Sequence, residues 1–92
     1  MYLHLGGEVV VAAPDVVAIL DARVLEGSEV NREFIDKAVA AGRLRGDGLI
    51  PGCKALVVTR DLAVFTSGIS APTLARRMVH LRQSAKAWDA EN

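Results

Sequence analysis

One stretch of the sequence, residues 54–77, constrains the fold more than any other, because it predicts a strand, a turn, a second strand and a helix in succession. Residues 54–59 are apolar and rich in β-branched side chains, which favours a strand. Arg60 and Asp61 form a polar pair between two apolar runs, as in a short hairpin connection. Residues 62–65 are then expected to be the returning strand of an antiparallel pair.

The helix that follows this hairpin has a clear start signal and a periodic apolar face. Ser70 offers a hydroxyl to the free amides of a helix start, and Pro72 fits the first turn, where its missing N–H costs nothing. Arg76 and Arg77 follow within two turns. The apolar positions recur at spacings of three and four residues, which predicts one buried stripe; they are Leu74, Met78, Leu81, Ala85 and Trp88.

The amino-terminal part of the chain predicts three strands. Residues 1–5 alternate between apolar and polar side chains, Gly6 and Gly7 allow a tight turn, and residues 8–13 form the partner strand. Residues 16–20 form a continuous apolar run. A strand without polar alternation is covered on both faces, which we expect to come from a helix on one side and a neighbouring subunit on the other.

A first helix is predicted between these strands and the hairpin. Asn31 is the expected N-cap and Gly42 the expected C-cap. The apolar face of this helix comprises Phe34, Ile35, Ala38 and Val39. Residues 43–52 contain three glycines, a proline and two arginines without any period, and predict an exposed loop that is functional or flexible.

Together these elements predict a small α+β fold with the order βββα-loop-ββα, in which one antiparallel sheet carries two helices. The length of 92 residues suits a single domain, which we place at residues 1–86, with residues 87–92 as a C-terminal tail. Hydrophobic residues make up 51% of the chain, more than a small monomer hides easily. We therefore expect a homo-oligomer.

Charge is segregated along the chain although the net charge is zero. Residues 1–42 hold three basic and seven acidic side chains, whereas residues 43–86 hold eight basic and two acidic ones. Such a distribution allows a basic face on a neutral molecule. The alternative is a set of solvated charges that never gather in space.

Nothing in the sequence predicts an enzyme, a metal site or a cofactor. His4 and His80 lack metal-ligand spacing; His4 is expected at the surface or in an interface, and His80 at the surface or on phosphate. Cys53 borders a strand and is expected to be a small buried hydrophobe rather than a reactive thiol. The chain shows no secretion signal and no apolar run of about 18 residues, so we expect a cytoplasmic protein without membrane contact.

The arginines support a sharper hypothesis. A guanidinium group forms paired hydrogen bonds with phosphate and with guanine edges. Arg43 and Arg45 on the predicted loop, with Arg76 and Arg77 on the second helix, can therefore clamp a DNA backbone. The alternatives are a solvated helix face and pairing with acidic residues of another subunit.

The order and spacing of these segments resemble the bacterial RemA/RemB family of regulators of extracellular-matrix (biofilm) genes, and the RemB branch most closely. No single motif is specific, but the agreement extends over about seventy residues. The matching positions are residues 1–6, 15–21, 33–35, 54–59, 67, 69–70, 73–74 and 76–77.

The resemblance implies a transcription regulator with a fold similar to LytTR-type DNA-binding domains. Such proteins are expected to form closed homo-oligomeric rings that bind double-stranded DNA through outward-facing basic residues, so that many weak contacts act together. The family's basic pair before the fourth strand corresponds here to Pro51 and Gly52, and an arginine of the third strand to Asp15. We expect substitutes from the neighbouring loop, which gives the predicted DNA-binding set Arg43, Arg45, Lys54, Arg76 and Arg77. The alternative function is an oligomeric scaffold or protein-interaction module without DNA binding.

Overall fold

The structure, a computed structural model, describes residues 1–45 and 52–91, with side-chain surroundings up to residue 83. Within these residues the chain forms six strands and two α-helices. Two short 3-10 turns, Ala13–Asp15 and Ala22–Leu25, flank the third strand. The elements are β1 (Tyr2–Gly6), β2 (Val9–Ala12), β3 (Val16–Asp21), α1 (Glu29–Ala40), β4 (Leu44–Arg45), β5 (Ala55–Thr59), β6 (Val64–Ser67) and α2 (Ala71–Glu91).

The strands form two sheets rather than the single antiparallel sheet that the sequence predicts. β1 and β2 make an antiparallel hairpin, and a central four-stranded sheet has the order β3-β5-β6-β4. The prediction of a purely antiparallel sheet is wrong, because β4 pairs parallel with β6. β4 lies at the start of the predicted loop 43–52, and its two residues are too few to carry a periodic signal. Residues 46–51 of that loop lie outside the described residues.

The central sheet is covered on both faces, and the alternation along β5 shows how. Leu56 and Val58 face α1, where they pack with a cluster that includes Ile35, Ala38 and Val64. Ala55 and Val57 face the other way, toward the β1–β2 hairpin and α2. Every side chain of β5 is buried, as expected for an inner strand between two layers. The cluster on the hairpin side comprises Leu3, Leu5, Val11, Ala13, Ala55, Val57, Leu74 and Met78.

A buried hydroxyl connects the hairpin to the central sheet. Ser67 Oγ, at the end of β6, donates a hydrogen bond to the carbonyl oxygen of Leu5 at 2.6 Å. The same oxygen accepts from the amide of Ile69 at 3.0 Å. Ser67 is 1% exposed, and its hydrogen bond to Leu5 is buried. The two hydrogen bonds fix the hairpin against the turn that leads into α2.

The hairpin between β5 and β6 is wider than predicted. The returning strand begins at Val64 rather than at residue 62, because Leu62 adopts a left-handed conformation with φ of 65° and cannot continue a strand. Asp61 stabilises the turn: its carboxylate accepts hydrogen bonds from the hydroxyl of Thr59 and from the amide of Ala63. A turn of four residues therefore replaces the predicted two-residue connection.

The cap of α2 agrees with the sequence, whereas both caps of α1 differ by position. Ser70 caps α2, since its Oγ accepts from the amide of Thr73 at 3.4 Å. The C-cap of α1 is Ala41 rather than Gly42, which follows it in a left-handed conformation with φ of 70°. The N-cap of α1 is Ser28 rather than Asn31, because Ser28 Oγ accepts from the amide of Asn31. Asn31 instead lies inside the helix and donates its side-chain amide to the carbonyl oxygen of Val24 at 2.8 Å.

β3 forms one edge of the central sheet and is less covered than its apolar sequence suggests. Val17 is 64% exposed, and the other β3 side chains are half-buried. The predicted cover by a neighbouring subunit therefore stays a prediction. At the other end of the chain, α2 continues across the predicted boundary between residues 86 and 87.

Candidate nucleic-acid interface

A groove runs between the outer face of β1 and one flank of α2, and four of the side chains that line it are arginines or histidines. We call it the β1–α2 groove. Its volume is about 700 Å³. The lining residues are Tyr2, Leu3, His4, Thr73, Arg76, Arg77, His80 and Leu81.

The strand wall of this groove follows from the alternation along β1. Leu3 and Leu5 point into the core and are almost fully buried, which places Tyr2 and His4 on the outer face. Tyr2 is 65% exposed. An exposed phenol and an exposed imidazole therefore stand on one side of the groove, where each offers a ring face and a hydrogen-bonding group.

The helix wall follows from the periodicity of α2. Leu74 and Met78 are buried, as the sequence predicts, and Leu81 is half-buried. Thr73, Arg76 and His80 are spaced by three and four residues and so form one row beside the buried stripe. Arg76 Nη2 donates to the hydroxyl of Thr73 at 3.4 Å, a weak contact that leaves most of the guanidinium group open.

The electrostatic character of the groove is positive. None of the described side chains that line it is acidic. Among the residues whose side chains the structure describes, neither Arg76 nor Arg77 forms an ion pair. Two permanently charged guanidinium groups on one exposed helix flank attract phosphate and can bind it through paired hydrogen bonds.

The other predicted cations lie elsewhere. Arg43 is half-buried at the start of β4, and its Nη1 donates to the carbonyl oxygen of Leu62 at 2.8 Å. Its backbone carbonyl accepts from the amide of Val64 at 2.9 Å. The residue thus connects the end of α1 to the β5–β6 turn, and its guanidinium group already has a partner within the chain.

Arg45 and Lys54 are both exposed, at separate places. Arg45 lies near Asp61, whose pKa is lowered chiefly by the hydrogen bond from Thr59, with smaller contributions that include the charge of Arg45. Lys54 immediately precedes β5, where its amide donates to the carbonyl oxygen of Ser67 at 2.8 Å. Arg45 therefore has a nearby opposite charge that weakens its attraction for phosphate.

The topology separates the predicted set into groups. α2 packs against β1 and β3, whereas β4 lies at the opposite edge of the central sheet. Three strand spacings, about 14 Å, separate the two edge strands. The structure therefore brings Arg76 and Arg77 together but not with Arg43 and Arg45. The structure also places Tyr2 and His4 of β1 beside α2. Nothing in the local sequence around either residue indicates that contact.

Three further features of the described residues concern metal ligands, thiol chemistry and membrane spans. The described part of the chain contains no group of three or more His, Cys, Asp or Glu side chains that could hold a metal ion. Cys53 is half-buried, and burial raises the pKa of its thiol, which disfavours the reactive thiolate. Within the described residues, no helix is both long and apolar enough to span a membrane.

Fold and groove together define a class: a small α+β protein with mixed strand pairing, two helices and an open basic groove. The chain belongs to the RemA-like family, described as extracellular matrix regulatory protein A-like, whose family model matches residues 2–78. Among curated proteins, none matches the chain significantly. The family match spans both walls of the groove as far as Met78.

Proposed function

We propose that this chain is a DNA-binding transcription regulator of the extracellular-matrix type, which acts as a homo-oligomeric ring and binds duplex DNA through arginines. The RemB-like branch, a LytTR-like relationship and a cytoplasmic location are parts of this proposal. The family description supports a regulator of extracellular matrix. The observation that carries the DNA contact is the pair Arg76 and Arg77, exposed in a groove whose described lining has no acidic side chain.

The chemistry of the groove favours contacts with the DNA backbone over base readout. Arg76, Arg77 and His80 offer N–H donors from one helix flank, and Tyr2 and Thr73 offer hydroxyls. Such groups bind phosphate oxygens and position a protein on the duplex without specifying a sequence. A single copy presents few such contacts, so useful affinity requires several copies to bind one DNA molecule.

The DNA proposal is tested with single alanine substitutions and a salt series. Arg76→Ala and Arg77→Ala should each weaken binding to unrelated duplexes by a similar factor. Each should lower the slope of log K against log salt by about 0.9 per contact per copy. Fluorescence anisotropy with a long labelled duplex, between about 50 and 200 mM salt, measures both quantities.

Arg23→Ala is the matched control, because it also removes one arginine. The guanidinium group of Arg23 already pairs with the carboxylate of Asp21 at 2.9 Å. It should bind DNA as the unchanged protein does. Arg45→Ala tests the β4 edge, and it is a cleaner test than Arg43→Ala, since Arg43 holds the β5–β6 turn.

Two outcomes decide between this function and its alternative. An unchanged slope in both Arg76→Ala and Arg77→Ala would remove the β1–α2 groove from the DNA interface. No binding of long duplexes at low salt by the unchanged protein would favour an oligomeric scaffold or protein-interaction module. The exposed hydrophobic side chains Met1, Val17, Val30 and Val79 are the observation behind that alternative.

A further inference from the structure

A second groove lies on the other flank of α2, and it combines apolar walls with two arginines. We call it the β3–α2 groove; it is bounded by Met1, Val17, Leu81, Arg60 and Arg82, among others, and its volume is about 630 Å³. Met1 is 51% and Val17 is 64% exposed. Exposed apolar side chains along an open groove are typical of an interaction surface.

The strand side of this groove is an open sheet edge. β3 pairs only with β5 in the described sheet, so its outer backbone groups face away from the sheet. The register with β5 shifts between Val16 and Ala18, which is the signature of a bulge at Val17. A bulge at a sheet edge redirects a side chain and blocks simple strand addition. The geometry therefore favours a helix over a strand as the occupant.

The charge of the β3–α2 groove is unbalanced within one copy. Arg60 and Arg82 are both exposed, and neither forms an ion pair with a described side chain. Arg60 also lines the neighbouring cleft beside β2, together with Asp15 and Asp61, whereas Arg82 does not line that cleft. The described lining of the β3–α2 groove has no acidic side chain. An occupant that places carboxylates next to apolar side chains would match both features of the surface.

The first helix carries such a surface. Val30 and Phe34 lie one helical turn apart and are 76% and 37% exposed. Glu29 and Glu33 lie directly beside them with the same spacing. We call these four residues the α1 stripe. Glu33 contacts Lys37 at 3.4 Å, but both side chains are largely exposed, so this pair contributes little and is easily exchanged.

The two surfaces lie on opposite sides of the same molecule. α1 covers one face of the central sheet, and α2 with the β1–β2 hairpin covers the other. The groove and the stripe of one copy therefore cannot meet each other. Two copies can bring them together, and a contact between two different surfaces continues from copy to copy until it closes into a ring or grows into a filament.

We propose that the β3–α2 groove receives the α1 stripe of a second copy of this chain, with Glu29 and Glu33 facing Arg60 and Arg82. Val30 and Phe34 then cover Met1, Val17 and Leu81. This proposal rests on the self-association that is part of the proposed function. It does not depend on DNA binding, and it leaves the β1–α2 groove open on the opposite flank of α2.

Charge reversal tests this contact. The groove variant carries Arg60→Glu with Arg82→Glu, and the stripe variant carries Glu29→Arg with Glu33→Arg. All four positions are exposed, so each variant should keep the circular dichroism spectrum of the unchanged protein. By light scattering, each variant alone should have a molar mass far below that of the unchanged oligomer. An equimolar mixture of the two should recover it, because every groove then meets a stripe of opposite charge.

A second variant and a control complete the test. Val30→Asp should also dissociate the oligomer, since it places a charge in the apolar part of the contact without reversing one. Arg76→Ala with Arg77→Ala removes the proposed DNA contacts and should leave the oligomer mass unchanged, which separates failure of DNA binding from failure of this contact. The proposal is overturned by a monomeric unchanged protein, by variants that keep full mass, or by a mixture that does not reassociate.

Discussion

At the scale of single residues, the guanidinium groups of Arg23 and Arg43 form close contacts within the chain, whereas Arg76 makes only the 3.4 Å contact with Thr73 and Arg77 forms no ion pair with a described side chain. Arg23 pairs with Asp21, which lowers the pKa of that carboxyl group chiefly through the side-chain hydrogen bond. Arg43 donates to the carbonyl oxygen of Leu62. The sequence presents all four as equivalent cations, and only their surroundings separate structural arginines from those that are open to a ligand.

Leu74 holds α2 against the β1–β2 hairpin behind the β1–α2 groove. It is 0% exposed and packs between α2 and the β1–β2 hairpin. Leu74→Ala should lower the free energy of unfolding by about 2–5 kcal/mol, because it leaves a cavity where the surrounding side chains relax only in part. Urea unfolding measures the change.

Val79→Ala provides the control for this substitution, since Val79 lies on the same helix and is 53% exposed. It should cost less than about 1 kcal/mol. A loss below about 0.5 kcal/mol for Leu74→Ala would mean that the apolar stripe of α2 faces solvent and that the assigned helix face is wrong.

At the scale of elements, the alternation of β1, the apolar run of β5 and the stripe of α2 as far as Leu81 fold as their periods indicate, whereas Ala85 and Trp88 lie beyond the described side chains. The predicted apolar face of α1 is only half correct: Ile35 and Ala38 are buried, but Phe34 and Val39 are 37% and 52% exposed. The sequence does not predict β4, because two residues carry no period and the strand is defined by its pairing with β6. The extra width of the β5–β6 turn depends on the left-handed conformation of Leu62, which sequence patterns rarely indicate for leucine.

The β5–β6 turn makes the stability of the fold depend on pH in the acid range. The pKa of Asp61 is lowered from its ordinary value of 3.8, first by the hydrogen bond from Thr59. A carboxyl group whose pKa is lower in the folded state stabilises the fold above its unfolded pKa. This contribution is lost as the pH falls below 3.8 through the lower folded value.

Asp61→Asn should therefore lower the urea midpoint at neutral pH, and the difference from the unchanged protein should shrink at acid pH. In a Thr59→Val background the same substitution should have a smaller effect, since the main donor is gone. A difference that stays constant between neutral and strongly acidic pH would show that the Asp61 charge does not stabilise the turn.

At the scale of the whole molecule, the walls of the β1–α2 groove come from opposite ends of the matched region. Tyr2 and His4 meet Arg76 and Arg77 only because β1 packs beside α2 on one face of the central sheet. Sequence patterns predict each wall, since alternation exposes Tyr2 and His4 and helical spacing aligns Thr73, Arg76 and His80. They do not predict that the walls adjoin, because that depends on long-range packing.

The number of copies that contact one DNA molecule should be visible in the salt dependence. The Val30→Asp variant, which should be monomeric, retains both groove arginines and gains no new cation, so its log–log slope should be about 2. The intact oligomer should give a slope several times steeper on a long duplex. On a short duplex, which fewer copies can contact, its slope should be smaller. Equal slopes for monomer and oligomer would show that only one copy contacts DNA at a time.

The hydrogen bond from Ser67 to Leu5 has a consequence for the order in which the molecule becomes functional. A two-stranded hairpin such as β1–β2 is at best marginally stable in water without a partner. Ser67 lies 62 residues after its partner Leu5 in the hairpin, and Leu74 lies further along the chain, so the docking contact closes a very long loop and forms late in folding. A nascent or partly unfolded chain therefore lacks the strand wall of the groove, even if its helix is formed, and a ligand of that groove selects completely folded copies.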